Sequence, residues 1–172
     1  MATDEPSSDQ SGDPSSEDAT ISEDGRTEIL YVSWGGTGRA ASVRQAMRRA
    51  VAEQRPLRYL AVLDDDHFSD LDRPMIDLVA NELGWLLEAQ IELIRSQIGA
   101  EDLPVSVEVR SGRVVDLVAE TVASATGPND ENLVLIGAPV PVSGHDSIQA
   151  LIDQIADQTG GEVDLVLPVD RI

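Results

Sequence analysis

From residue 29 onward the chain alternates between two hydrophobic rhythms. Ile29 to Val32, Leu57 to Leu63 and Leu133 to Ile136 are short aliphatic runs with little polar alternation, which predicts strands buried on both faces. Between them Val43, Ala46, Met47, Ala50 and Val51 recur at helical spacing, with Arg44, Arg48 and Arg49 on the other side, so a first amphipathic helix should end near Arg55-Pro56. Ser69 to Asp72 offers capping side chains and Pro74 suits a first helical turn. Met75, Leu78, Val79, Leu83, Leu86, Leu87, Ile91, Ile94 and Ile98 then predict one long helix that Gly99 ends.

Val105, Val107 and Val109 alternate with Ser106, Glu108 and Arg110 behind Pro104, the pattern of a half-exposed strand at a sheet edge. Gly112 turns into a third helix through Val114, Val115, Val118 and Val122. The loop Gly127 to Asp130 leads to the central strand Leu133 to Ile136, and a loop with two prolines, Gly137 to Gly144, follows. Ile148, Leu151, Ile152 and Ile155 form a fourth helix, Gly160-Gly161 ends it, and Val163 to Val169 is the last strand. Strands alternating with helices predict an α/β fold: an open five-stranded parallel sheet with helices on both faces and right-handed crossovers.

Charge divides the chain in two. Met1 to Glu28 carries nine carboxylates and one arginine among Ser, Pro and Gly, too little apolar surface to offset its ordering entropy. It is expected to be a disordered acidic tail (1–28) ahead of one domain (29–172), which keeps a net charge of −12 of the chain's −20. Every basic residue is arginine. Lysine-free acidity of this kind is similar to the proteins of extremely halophilic archaea, whose high-salt cytoplasm screens self-repulsion. It argues against nucleic acid, for which Arg44, Arg48 and Arg49 are the nearest thing to a basic stripe. With no cysteine, no basic-then-apolar leader and no membrane-length apolar run, the expectation is a cytoplasmic protein without a membrane partner.

The chemistry-bearing candidates are few. Ile29 to Gly38 runs from a strand into a Gly-rich turn just before a helix, the place where parallel sheets meet ligands. Trp34 stands at the turn; its indole could stack on a ring, though a lid over the sheet end is the commoner role. Asp64-Asp65-Asp66-His67 offers hard oxygen ligands, but in so acidic a chain it reads as a solvated loop rather than a metal site. His145-Asp146-Ser147 falls where a helix cap is needed, not where a catalytic set would converge. Trp85, beside Leu86 in the long helix, takes core or interface packing as its ordinary role, and the three arginines of the first helix read as a solvated face.

The order of these elements resembles the universal stress protein family over essentially all of Ile29 to Val169. The resemblance rests on Ile29-Leu30-Tyr31-Val32 with its small-residue turn and Ala-rich helix, the strand ending Val62-Leu63-Asp64, Val109-Arg110-Ser111-Gly112 leading into Val114 to Ala119, and Leu133-Val134-Leu135-Ile136-Gly137. It implies strand order 3-2-1-4-5 and a homodimer paired through the last strand at Val163, Leu165, Val166 and Leu167. It also implies a nucleotide crevice, here at Trp34, Gly35, Thr37, Val62, Leu63, Gly137 and Ser143. The family's ATP-binding branch has an acidic residue at the end of the first strand, at or near Trp34, and a phosphate loop of Gly, two residues, Gly, nine residues, then Gly-Ser or Gly-Thr. This sequence reads Gly137-Ala138-Pro139-Val140-Pro141-Val142-Ser143-Gly144 instead, and prolines have no N–H to offer a phosphate. The expectation is therefore a non-enzymatic stress-response or regulatory protein that meets a protein partner, with a degenerate crevice and no cofactor. The alternative expectation is an adenine-nucleotide sensor that keeps ATP through the same residues.

Overall fold

Central strands buried on both faces need helices above and below, and the chain supplies two for each side. The structure, a computed structural model, describes residues 27–34, 40–63, 73–125, 132–137 and 145–166. Strands β1 (Ile29–Trp34), β2 (Leu57–Leu63), β3 (Val105–Ser111), β4 (Leu133–Gly137) and β5 (Glu162–Val166) form one parallel sheet in the order β3-β2-β1-β4-β5. The crossovers are α1 (Ala40–Glu53), α2 (Ile76–Ile98, preceded by a 3-10 turn at Arg73–Met75), α3 (Val114–Ala125) and α4 (His145–Thr159). Both the open parallel sheet and its strand order are as expected. The last strand is observed only to Val166, and Leu167 to Val169 lie outside the described residues.

Alternate residues of the inner strands serve opposite layers. Ile29, Tyr31, Tyr59, Leu133 and Leu135 pack against Val43, Ala46, Met47 and Ala50 of α1 and Leu87, Ile91 and Ile94 of α2. Leu30, Val32, Leu60, Val62, Val134 and Ile136 pack against Val115, Val118 and Val122 of α3 and Ile155 of α4. Gly99 closes α2 in the left-handed region at φ 66°, the conformation that a Cβ disfavours. Arg95 completes that end, its guanidinium donating to the carbonyls of Ala100 and Glu101.

The long helix ended by Gly99 is as expected, but its apolar positions divide between two faces: Leu87, Ile91 and Ile94 are inside, Leu83 and Ile98 are partly so, and Met75, Leu78, Val79 and Leu86 are exposed. A 23-residue helix is about 34 Å long and a seven-residue strand about 23 Å, so α2 overhangs the sheet it covers. Trp85 stands outside the core as well, 73% exposed.

Arg49 does not stand free in solvent, being half-buried and paired. It bridges α1 to the edge strand β5, pairing with Asp164 and with Glu162 at 3.7 Å while holding Glu53 at 2.8 Å. Arg44 reaches Gln97 of α2 at 3.1 Å, and Arg48 is exposed. The Arg49 cluster is half in water, so Arg49→Ala should lower stability by only about 1 kcal/mol or less, read as a small shift of the urea midpoint that shrinks as salt rises. At the N-terminal side of the sheet Arg55 donates to the Thr27 carbonyl at 2.6 Å, and Arg58 pairs with Glu28 at 3.2 Å and Glu108 at 2.9 Å. The last two residues of the acidic segment are thereby tied to β2 and to the turn before it.

Candidate functional site

The chain order reverses between β1 and β4, because β1 connects onward to β2 on one side while β4 lies on its other side. A parallel sheet opens its crevice at such a point, beyond the carboxyl ends of the strands. Trp34 ends β1, Val62 and Leu63 end β2, and Gly137 ends β4, so four of the seven candidate residues meet along this rim. Gly35, Thr37 and Ser143 lie outside the described residues, as do Asp64 to His67 and the loop 138–144. α4 begins at His145, which puts His145, Asp146 and Ser147 in its first turn.

The geometry of the rim follows from side-chain alternation. Trp34 shares the face of Leu30 and Val32, and its half-buried indole packs against the layer beneath α3 and α4. Val62 and Leu63 are buried. The carbonyl of Leu63 accepts the Gly112 N–H at 3.0 Å, which commits part of the backbone expected to face a ligand.

On the opposite face lies a feature that the motif reading passed over. Tyr31 and Tyr59 meet edge to face, with ring centroids 4.9 Å apart at 63°, and Tyr59 Oη and Ser33 Oγ share a hydrogen bond of 2.9 Å. The Tyr31 hydroxyl reaches under β4, where a Cβ on Gly137 would stand 2.3 Å from Oη and 2.9 Å from Cζ. Gly137 is thus required for the fit of a phenol and need not imply a phosphate. Ser42, in the first turn of α1, is buried beside this group, and among the described residues neither Tyr31 Oη nor Ser42 Oγ completes a hydrogen bond. Burial drives the Tyr31 phenol well above its usual titration range, and Tyr59 adds to the shift. A signal was present in the sequence: two tyrosines and a serine at inward positions of otherwise aliphatic strands.

The four described candidate residues of the rim are uncharged, and the Tyr31 and Tyr59 phenols lie buried beneath them. The charged group nearest in register is Arg110, level with Val62 on β3, and it pairs with Glu120 at 2.9 Å. Groups of acidic or imidazole side chains able to hold a metal ion are absent among the described residues, and no helix among them is long and apolar enough to cross a membrane.

No family model matches the chain, and no curated protein does. Solved structures match its fold. The universal stress protein UspA from Lactobacillus plantarum superposes with a TM-score of 0.57 at 14% identity, over 82% of this chain and 99% of that one. A protein of the universal stress protein family from Burkholderia pseudomallei superposes with a TM-score of 0.51 at 10% identity, over 81% and 96% of the two chains. The likeness spans nearly the whole of each relative, and it is one of architecture: this chain has the fold of the universal stress proteins.

Proposed function

We propose that this chain works as a universal stress protein that has given up its nucleotide: a non-enzymatic, cytoplasmic, homodimeric protein of stress response or regulation that acts by binding a protein partner. The observation that carries the reading is the uncharged set of described candidate residues on the rim, where Trp34 takes the end of β1 and the Tyr31 phenol explains Gly137. The sequence beyond β4 supports it, since Pro139 and Pro141 remove backbone donors from the segment where a phosphate loop would stand. The cation level with Val62, Arg110, is already paired with Glu108 and Glu120, so it is not a free countercharge for a triphosphate.

A ligand that binds only the native state raises its stability, by about 2.7 kcal/mol at one hundred times its dissociation constant. The thermal midpoint of the full chain should therefore stay unchanged when millimolar ATP and magnesium are added. A rise of several degrees would instead support the nucleotide-sensor reading.

A further inference from the structure

We infer that α2 is the surface through which two copies of this chain associate; this rests on the homodimer reading and replaces the β5 edge as its interface. Besides the stripe that faces the sheet, α2 carries a second apolar stripe. Val79, Leu86 and Leu93 are spaced seven residues apart, so they lie one above another on a side face of the helix, with Met75, Leu78 and Trp85 beside them. All six are exposed, Trp85 by 73%, Leu86 by 63% and Leu93 by 60%. Together they present roughly 600 Å², at the top of the range for a patch on a monomer and near the ~800 Å² that each partner gives to a standard interface. In a chain of net charge −20 an apolar stripe of this length is the exception on the surface.

The stripe is complementary to itself. With a two-fold axis at Leu86 and the helices antiparallel, Leu86 meets its own copy and Val79 meets the partner's Leu93. Glu82, the acidic residue within the stripe, then falls beside the partner's Ala89, on the opposite side of the seam from Gln90. Each Glu82 lies four residues from the axis, so the two carboxylates are about 12 Å apart along the helix, beyond the ~10 Å screening length of moderate salt.

The alternatives fit less well. On β5 Val166 is buried, Val163 is half-buried and Leu165 is 38% exposed, while an edge pairing with its two-fold axis at Val163 would set Glu162 against the partner's Asp164. The acidic segment 1–26 has no apolar stripe with which to cover α2.

The test uses the full chain, which has no cysteine, at about 1 M salt, where the screening length falls to ~3 Å and self-repulsion is weakest. Wild type and Leu165→Glu should run as dimers by light scattering after size exclusion, and Leu86→Glu as a monomer with unchanged helical content. The variant Leu86→Cys should form a covalent dimer with a short thiol crosslinker, and Leu165→Cys should not. Monomeric Leu165→Glu beside dimeric Leu86→Glu would overturn the α2 interface and leave the homodimer standing. A monomeric wild type that gives no Leu86→Cys dimer, as would follow if another segment of the same chain covered α2, would overturn both.

Discussion

Replacing Gly137 by alanine should destabilise the fold by about 1 to 3 kcal/mol, the ordinary cost of forcing a methyl group into a closed core site. The added carbon would stand 2.3 Å from the Tyr31 hydroxyl, on a ring held by Tyr59 on one side and α1 on the other. Neither the ring nor the strand has room to yield. Tyr31→Phe removes that oxygen and leaves Cζ at 2.9 Å, so the double variant should recover roughly half of the loss. Urea denaturation of the four proteins gives the coupling directly. Additive effects would mean that Gly137 serves something other than the phenol.

The second large effect is alkaline. In the unfolded chain Tyr31 releases its proton near pH 10, whereas in the folded protein burial keeps it protonated to higher pH. Above pH 10 the unfolded state therefore binds fewer protons than the native state. Stability contributed by this group is complete below about pH 10 and falls as pH rises, by up to ~1.4 kcal/mol for each further unit. Tyr31→Phe should flatten the decline above about pH 10. Because the Tyr31 hydroxyl completes no hydrogen bond among the described residues, the same change should cost under about 1 kcal/mol at neutral pH. Parallel pH dependence in wild type and variant would show that Tyr31 titrates normally.

The fold was legible because each element carried its own signal. Unbroken aliphatic runs marked β1, β2 and β4, alternation behind Pro104 marked β3 as an edge, and Gly99 and Gly160 marked helix ends, both at positive φ in the structure. The rim at Trp34, Val62, Leu63 and Gly137 was legible too, since it follows from where strands end. What periodicity hid was the division of α2 into two stripes. Leu86 and Leu87 are neighbours in sequence and 100° apart on the helix, so a list of apolar positions at i, i+3 and i+4 joins a buried row to an exposed one. Deciding between them needs the length of the sheet beneath. The Tyr31 and Gly137 contact was hidden for a similar reason, because it joins two strands about a hundred residues apart whose adjacency comes only from the topology. The bridge from Arg49 to Asp164 is a third such case, made by the packing of α1 beside β5.

The chain order reverses between β1 and β4 as in the universal stress protein fold, and the described candidate residues at that point are Trp34, Val62, Leu63 and Gly137. Calorimetric titration of the full chain with magnesium ATP at high salt tests the proposed loss of nucleotide binding most directly. The account predicts no heat beyond dilution up to millimolar nucleotide, and a saturable isotherm with micromolar affinity would contradict it.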